Sequence, residues 1–453
     1  MMQVQIKILL IVVINALICV SAWGQETLDQ AWEQAIAASR KLESGSFSIS
    51  AAQYTKQAAS AARLPKLMAE SSYTAMSTEP KMQVDMSRPM QGFAYAAQQS
   101  NLPVLAQNIM ALPTSMETPV SNQSFGTASV GMVVPLYTGG KISSLERAGE
   151  SLTQAAVYDR NANISNLKLE VAAAYFMVQR VEKLYEVTLA AKASLDGHLK
   201  DVQNLLNQGL VTRTALLSAQ VAQAEAEQNV LRTEYALKTA KAAYNRLLWR
   251  PLETPVSLTE MNLPLNNYSV DALMDTAIRL RPELSQLAAQ SQAINSKADS
   301  IRSERLPQVA AGASFTYYEN DHLSTNGYGQ GSVGMVWTPF DNVSRAKERA
   351  ARNEAYAVSK MRDEASNAIR LQVQKAFNDD QVARNRIQIA KLAVTQSEEN
   401  LRLVKDQFKQ GLATYTQVLD AQTLWNQAHF NYANAIYDAL SAAYTLKHAV
   451  GSW

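Results

Sequence analysis

Residues able to do acid–base, nucleophilic or metal chemistry are few and scattered in this sequence. Its four histidines, His198, His322, His429 and His448, form no pair at i, i+3 or i+4, the spacing that sets two imidazoles on one helix face. The single cysteine, Cys19, falls inside an N-terminal apolar run. There is no defensible Ser/His/Asp arrangement, no glycine-rich phosphate loop and no cysteine cluster, and Glu398-Glu399 reads as a solvated helix face. Six methionines, Met76, Met82, Met86, Met90, Met110 and Met116, share one segment. Thioethers suit a soft cation such as Cu(I), and they serve equally as flexible apolar contacts. An enzyme is the least favoured class, and no catalytic, cofactor-binding or metal-ligating residue is assigned.

What the chain repeats is a turn. Gln208-Gly209-Leu210 and Gln410-Gly411-Leu412 recur at an offset of 202, and Leu217 and Ala219-Gln220 recur as Leu419 and Ala421-Gln422. Each glycine lies between long stretches of helical apolar period, the pattern of a helical hairpin tip. In the helix before the first tip a stripe runs Leu167, Val171, Ala174, Val178, Val181, Tyr185, Thr188, Lys192, Leu195, Leu199, Val202, Leu206. Its steps alternate four and three, which is a heptad seam.

The elements holding these hairpins also occur twice. Arg63-Leu64-Pro65 returns as Arg305-Leu306-Pro307 at an offset of 242, and Glu146-Arg147-Ala148 returns as Glu348-Arg349-Ala350 at 202. Period-two alternation marks strands near 66–75 and 124–137, and again near 308–318 and 329–340. The difference in offset leaves about forty extra residues in the first half, assigned to a proline-rich loop over 76–123. The expected organisation is a signal peptide over 1–24, a first repeat over 25–252 with its helical hairpin at 141–249, and a second over 253–453 with its hairpin at 344–448. Lys7, the apolar run Ile8–Val20 and Ala22-Trp23-Gly24 have the pattern of a secretory signal cleaved before Gln25.

Export and strand patterning together constrain the class. The formal net charge is +2, so nothing argues for nucleic acid. No stretch after the signal is apolar enough for a spanning helix, so any membrane crossing must use strands. Their apolar residues alternate with small polar ones, and aromatics (Tyr73, Phe125, Tyr137, Phe315, Tyr317, Phe340) sit near the strand ends, as in a barrel with a wet lumen. Four strands cannot close such a barrel, whereas three chains would supply twelve. The competing class is an exported coiled-coil scaffold without a pore.

The motifs in order resemble the TolC-like outer-membrane efflux protein family over essentially the whole mature chain. They are Thr27-Leu28-Asp29-Gln30-Ala31, the two Arg-Leu-Pro strand entries, the exit Val134-Pro135-Leu136-Tyr137-Thr138-Gly139-Gly140-Lys141 and the two Gln-Gly-Leu tips. The resemblance implies a mainly α protomer with a small β part. Three protomers would form a twelve-stranded barrel in the outer membrane and a coiled-coil α-barrel in the periplasm. It further implies a homotrimer in outer-membrane lipid, serving a tripartite efflux pump or type I secretion system. The partners would be a periplasmic adaptor (membrane fusion protein) and an inner-membrane transporter of RND, ABC or MFS type.

Residue roles follow by position. The adaptor-docking tips map to Gly209, Leu210, Val211 and Thr212 and to Gly411, Leu412, Ala413 and Thr414. The aspartate ring narrowing the periplasmic entrance maps to Asp420. The same pore constriction includes Gln417, where relatives carry a second acidic residue, and Phe408, in the place of their latching tyrosine; their latching arginine is replaced by Ala413. Phe408 cannot donate a phenolic hydrogen bond, and Ala413 cannot pair with a carboxylate.

Overall fold

The computed structural model describes residues 25–264, 269–322 and 324–453. The signal-peptide segment lies outside them. The chain forms two compact units. Of the described residues, one holds those up to Ala52 with Ser151–Ser291 and Tyr356–Trp453, and the other holds Gln53–Glu150 and Gln292–Ala355.

The second unit contains the sheet. Strands β1 (Lys66–Ala75), β4 (Ser124–Tyr137), β5 (Gln308–Tyr318) and β6 (Gly327–Val336) form one antiparallel sheet in the order β1-β4-β5-β6. Register decides what this sheet is. Leu67 pairs with Met132, Met132 with Ala313 and Ala313 with Gly331. Likewise Ala69, Val130, Phe315 and Gly329 form one cross-strand row. Cross-strand partners share a face, so one face is mainly apolar, with Ser71 and Ser124 its serines, and the other carries Glu70, Ser129, Thr316 and Tyr328 or Ser72 and Thr127. Ser72 and Thr127 hydroxyls meet at 2.7 Å on that polar face. The apolar face is bare in one chain: Leu67 is 72% and Val333 72% exposed. β6 stops at Val336, short of the expected 340, because Pro339 cannot donate to a ladder.

The expected loop over 76–123 is instead a folded insertion. It holds β2 (Lys81–Asp85), α3 (Ser87–Gln99), α4 (Pro103–Met110) and β3 (Ser115–Pro119), with β2 and β3 paired antiparallel. Its prolines sit where a missing N–H costs little. Pro103 opens α4, Pro89 lies in the first turn of α3, and Pro119 ends an edge strand. Prolines bound these short elements rather than preventing them.

Helices α1 (Leu28–Ala38) and α2 (Arg40–Ala61) precede β1, and α7 (Val270–Leu280) and α8 (Pro282–Arg302) precede β5. Thr27 caps α1 with a capping box that Gln30 completes. The long helices are α5 (Lys141–Asn207) with α6 (Arg213–Leu247), and α9 (Asn342–Lys409) with α10 (Tyr415–Val450). At ~1.5 Å per residue the 67-residue α5 is about 100 Å long.

In the sheet-bearing unit the duplication is also chemical. Arg63 pairs with Glu146, and their counterparts Arg305 and Glu348 pair at 2.5 Å. Each pair ties a strand's entry to the helix leaving the next strand.

In the helical unit every residue of the α5 seam is buried or half-buried, but α5 also buries Tyr175, Phe176, Gln179, Ala191 and His198. Tyr175 directs its hydroxyl at the carbonyls of Glu26 (2.9 Å) and Thr259 (2.6 Å), which draws the segment before α1 onto the helix. Burial, with the nearby Glu26 charge, pushes the Tyr175 phenol up to about 12. Arg250 closes a bidentate pair with Glu26 at 2.9 and 2.6 Å. Arg281, itself buried, donates from Nε and Nη2 to the two carboxylate oxygens of Glu283, each at 3.0 Å, and from Nη1 to the C-terminal carbonyls of His448 and Ala449 at 3.4 and 3.2 Å. A cation there complements the negative end of α10.

Gly139 is the tightest joint between strand and helix. Its φ is +62°, and an added Cβ would lie 2.7 Å from Leu306 Cβ and 3.0 Å from the Ser303 carbonyl oxygen. Gly139→Ala therefore combines backbone strain with a clash against groups that cannot simply rotate away. It should lower stability by about 2 kcal/mol or more, read as a drop in the thermal unfolding midpoint, whereas Gly92→Ala, with open space around it, should not.

Candidate functional site

The two hairpin tips have the same local construction. At the first, Gly209 N–H donates to the Leu206 carbonyl at 2.9 Å and Leu210 N–H to the Leu205 carbonyl at 2.9 Å. At the second, Gly411 N–H reaches Phe408 at 3.0 Å and Leu412 N–H reaches Gln407 at 2.8 Å. These are Schellman-type helix ends, which need a left-handed residue. Gly209 and Gly411 supply it, with φ of +74° and +76°. No neighbour crowds either glycine, so conformation alone demands the residue.

A threonine restarts each helix. Thr212 accepts from Ala215 N–H at 3.3 Å, and Thr414 accepts from Gln417 N–H at 3.4 Å. Gln417 returns the contact by accepting Thr414 N–H at 2.7 Å, completing a capping box. Gln417 is exposed, but its side chain is engaged in this cap. Leu210 and Leu412 project outward, 68% and 75% exposed. Val211 and Ala413 are half-buried and pack on the core beneath. Asp420 is exposed one turn beyond the cap.

Both tips belong to the same unit and share one small core: Val202, Ala219, Phe408 and Val418. Phe408, taken from the sequence as a constriction residue, is only 7% exposed and fills this core. Its ring lacks a hydroxyl to hold at a wet surface, so burial is the favourable place for it. Within this chain it supports the tip from inside.

Sequence reasoning missed His198. Its ring stacks on Tyr415 at 5.3 Å with a 12° interplanar angle and meets Phe408 edge-on at 5.2 Å. Among the described residues its buried Nε2 has no hydrogen-bond partner, and neither does the Tyr415 hydroxyl. Burial, aided by the Lys405 charge, pulls the His198 imidazole down to about 4, while burial pushes the Tyr415 phenol up to about 12. Lys405 is held below the usual amine range by burial and by Lys409. It donates to Ser194 Oγ at 2.6 Å, and Ser194 in turn donates to Gln422 Oε1 at 2.6 Å. This polar chain links α5, α9 and α10 just above the tips. Only the stacking geometry marks His198, and in sequence it was an isolated histidine.

No group of three or more His, Cys, Asp or Glu side chains is placed to hold a metal ion among the described residues. No described helix is long and apolar enough to cross a membrane.

The chain belongs to the outer membrane efflux protein family, whose model matches residues 31–248 and 273–452. No curated protein matches the sequence. Several solved structures share the fold. The outer-membrane channel OprN superposes with a TM-score of 0.73 at 16% identity, covering 94% of this chain and 90% of its own. VceC, an outer membrane protein of Vibrio cholerae, gives 0.72 at 20% identity over 94% and 96%. CusC, whose structures concern transmembrane channel formation, gives 0.74 at 15% identity over 94% and 92%. This protein is therefore an outer-membrane efflux channel and not an enzyme, and the scaffold class is not favoured.

The His198 environment has a pH consequence. In the unfolded tip its imidazole titrates near ~6.5, whereas in the folded tip it stays neutral down to about 4. Below pH ~6.5 only the open state takes up the proton, so tip stability falls as pH falls from there to about 4 and is unaffected above it. Hydrogen exchange, corrected for intrinsic rates, should show opening at both tips increasing up to about tenfold per pH unit across that window. His198→Phe should flatten the profile.

Proposed function

We propose that three copies of this chain close into one channel, the outer-membrane exit duct of a tripartite efflux pump or a type I secretion system. The observation carrying this reading is the two-faced sheet. β1 and β6 are its edges, and they run antiparallel to each other, so β6 of one copy can continue the ladder onto β1 of the next. Three four-stranded sheets make twelve strands, an even number within the range of outer-membrane barrels. The apolar face then meets outer-membrane lipid, and the face with Glu70, Ser72 and Gln330 lines the lumen. Heat-modifiable, detergent-extracted trimers are the expected species, whereas a soluble monomer in the periplasm would refute the assembly.

The tips are the docking surface for a periplasmic adaptor (membrane fusion protein), which joins the duct to an inner-membrane transporter of RND, ABC or MFS type. Exposed Leu210 and Leu412 on rigid glycine turns support this role, with Gly209, Val211, Thr212, Gly411, Ala413 and Thr414 setting the turn shape. Asp420 supplies the acidic ring of the periplasmic entrance, and Gln417 stands one turn before it. Phe408 acts there by backing the tip from its core. Three carboxylates around a narrow opening attract cations. Asp420→Ala should abolish block by multivalent cations and change single-channel conductance in planar bilayers. Unaltered conductance and block would remove Asp420 from the entrance.

A further inference from the structure

The folded insertion between β1 and β4 carries apolar surface that this chain leaves uncovered. Among the described residues, helices α3 and α4 find their substantial packing only on each other, through Ala94, Ala97 and Ala106 with Ile109. Helices of 13 and 8 residues are marginal alone. Beside that small core lies an open groove of about 450 Å3, lined by Met90, Phe93, Ala97, Leu105 and Leu112. Phe93 is 68% exposed and Val104 70%. Such a surface on an exported protein needs a partner.

Position and charge narrow the choice of partner. The insertion leaves the sheet at Ala75 and Ser124, the strand ends opposite those joined to α2 and α5. Its stem is fastened there to the β5–β6 connection: Asn320 donates to the Val120 carbonyl at 3.1 Å and Asn122 to Asp321 at 3.2 Å. It therefore springs from β1, the edge strand that meets the neighbouring copy, at the outer rim of the barrel. Between residues 87 and 114 the only charged residue is Arg88, and the other polar positions are Gln, Ser and Asn with Tyr95 and Thr114. A helix lying on an anionic membrane surface carries Lys and Arg along its polar face, and this pair does not. An uncharged apolar surface brought together in three copies meets no like-charge repulsion.

On the trimeric channel proposed above, we infer that the three α3–α4 hairpins pack their apolar grooves against one another, forming a cap of this chain's own copies over the outer mouth. The cap narrows the outer exit of that channel. Cross-linking can test it, because the only native cysteine is Cys19, inside the segment expected to be cleaved. Phe93→Cys and Leu105→Cys channels, extracted as heat-modifiable trimers, should give covalent dimers and trimers with a short bis-maleimide. Replacing residues 87–112 by a short Gly/Ser linker should leave the trimer intact and raise single-channel conductance by about twofold or more. Intact trimers that yield only monomers after cross-linking would overturn the cap while leaving the channel reading standing. So would a bimane label at Phe93→Cys quenched by doxyl lipids, which would put the hairpin on the membrane. Unchanged conductance in the linker variant would overturn it as well. Absence of any trimer would sink the channel assembly itself, and the cap with it.

Discussion

In hydrocarbon every backbone N–H and C=O must find a partner, at a cost of several kcal/mol for each that does not. One copy of this chain cannot meet that requirement. Its sheet has four strands, two of them edges, and its apolar rows end in open ladders at β1 and β6. The helices do not relieve the problem, since none described is apolar enough to enter the bilayer. Assembly is thus built into the strand count. The alternation that makes a strand fit lipid on one face and water on the other is useful only once the edges are joined.

The second organising feature is duplication, and its two copies differ where function requires. The ion pairs Arg63–Glu146 and Arg305–Glu348 repeat at the strand–helix joints. The glycine turns and threonine caps repeat at the tips with nearly identical dihedral angles. Between those fixed points the halves diverge. Only the second tip has a capping box and carries Asp420 where the first has Ser218. Only the second places an aromatic, Phe408, in the shared core, while the first contributes His198 to stack beside it. Repeated turns keep the frame, and unequal side chains between them make the two tips chemically distinct.

Much of this was legible in sequence because it is periodic or local. Period-two alternation located the sheet strands, a four–three stripe located the α5 seam, and Gln-Gly-Leu located the tips, since each reflects constraints within a few residues. The class followed from the ordered repetition of these signals. What escaped was long-range or permissive. The insertion looked like a loop because prolines at Pro89, Pro103 and Pro119 suggested breakage, yet all three sit where helices and edge strands tolerate them. The second buried stripe of α5, from Tyr175 to His198, depends on contacts with segments 80 or more residues away in sequence, at Thr259, Glu26 and Phe408. Phe408 was assigned by position in the family, and position alone does not say which way a ring faces.

A passive channel needs shape and charge rather than reactive groups, and the distribution of titratable side chains here follows that need. Tyr175 and Tyr244 are buried where the segment before α1 meets the long helices, and burial raises both phenols far out of the physiological range. Tyr175 acts as a neutral hydrogen-bonding wedge, and the Tyr244 hydroxyl, buried without a hydrogen-bond partner among the described residues, stays neutral beside it. His198, Lys405 and Tyr415 lie near the tips, where burial opposes the charged form of each. Among the described residues the hairpins are joined there by stacked rings and by one polar chain from Lys405 through Ser194 to Gln422. Such a core is tight while dry, and it loosens when water enters.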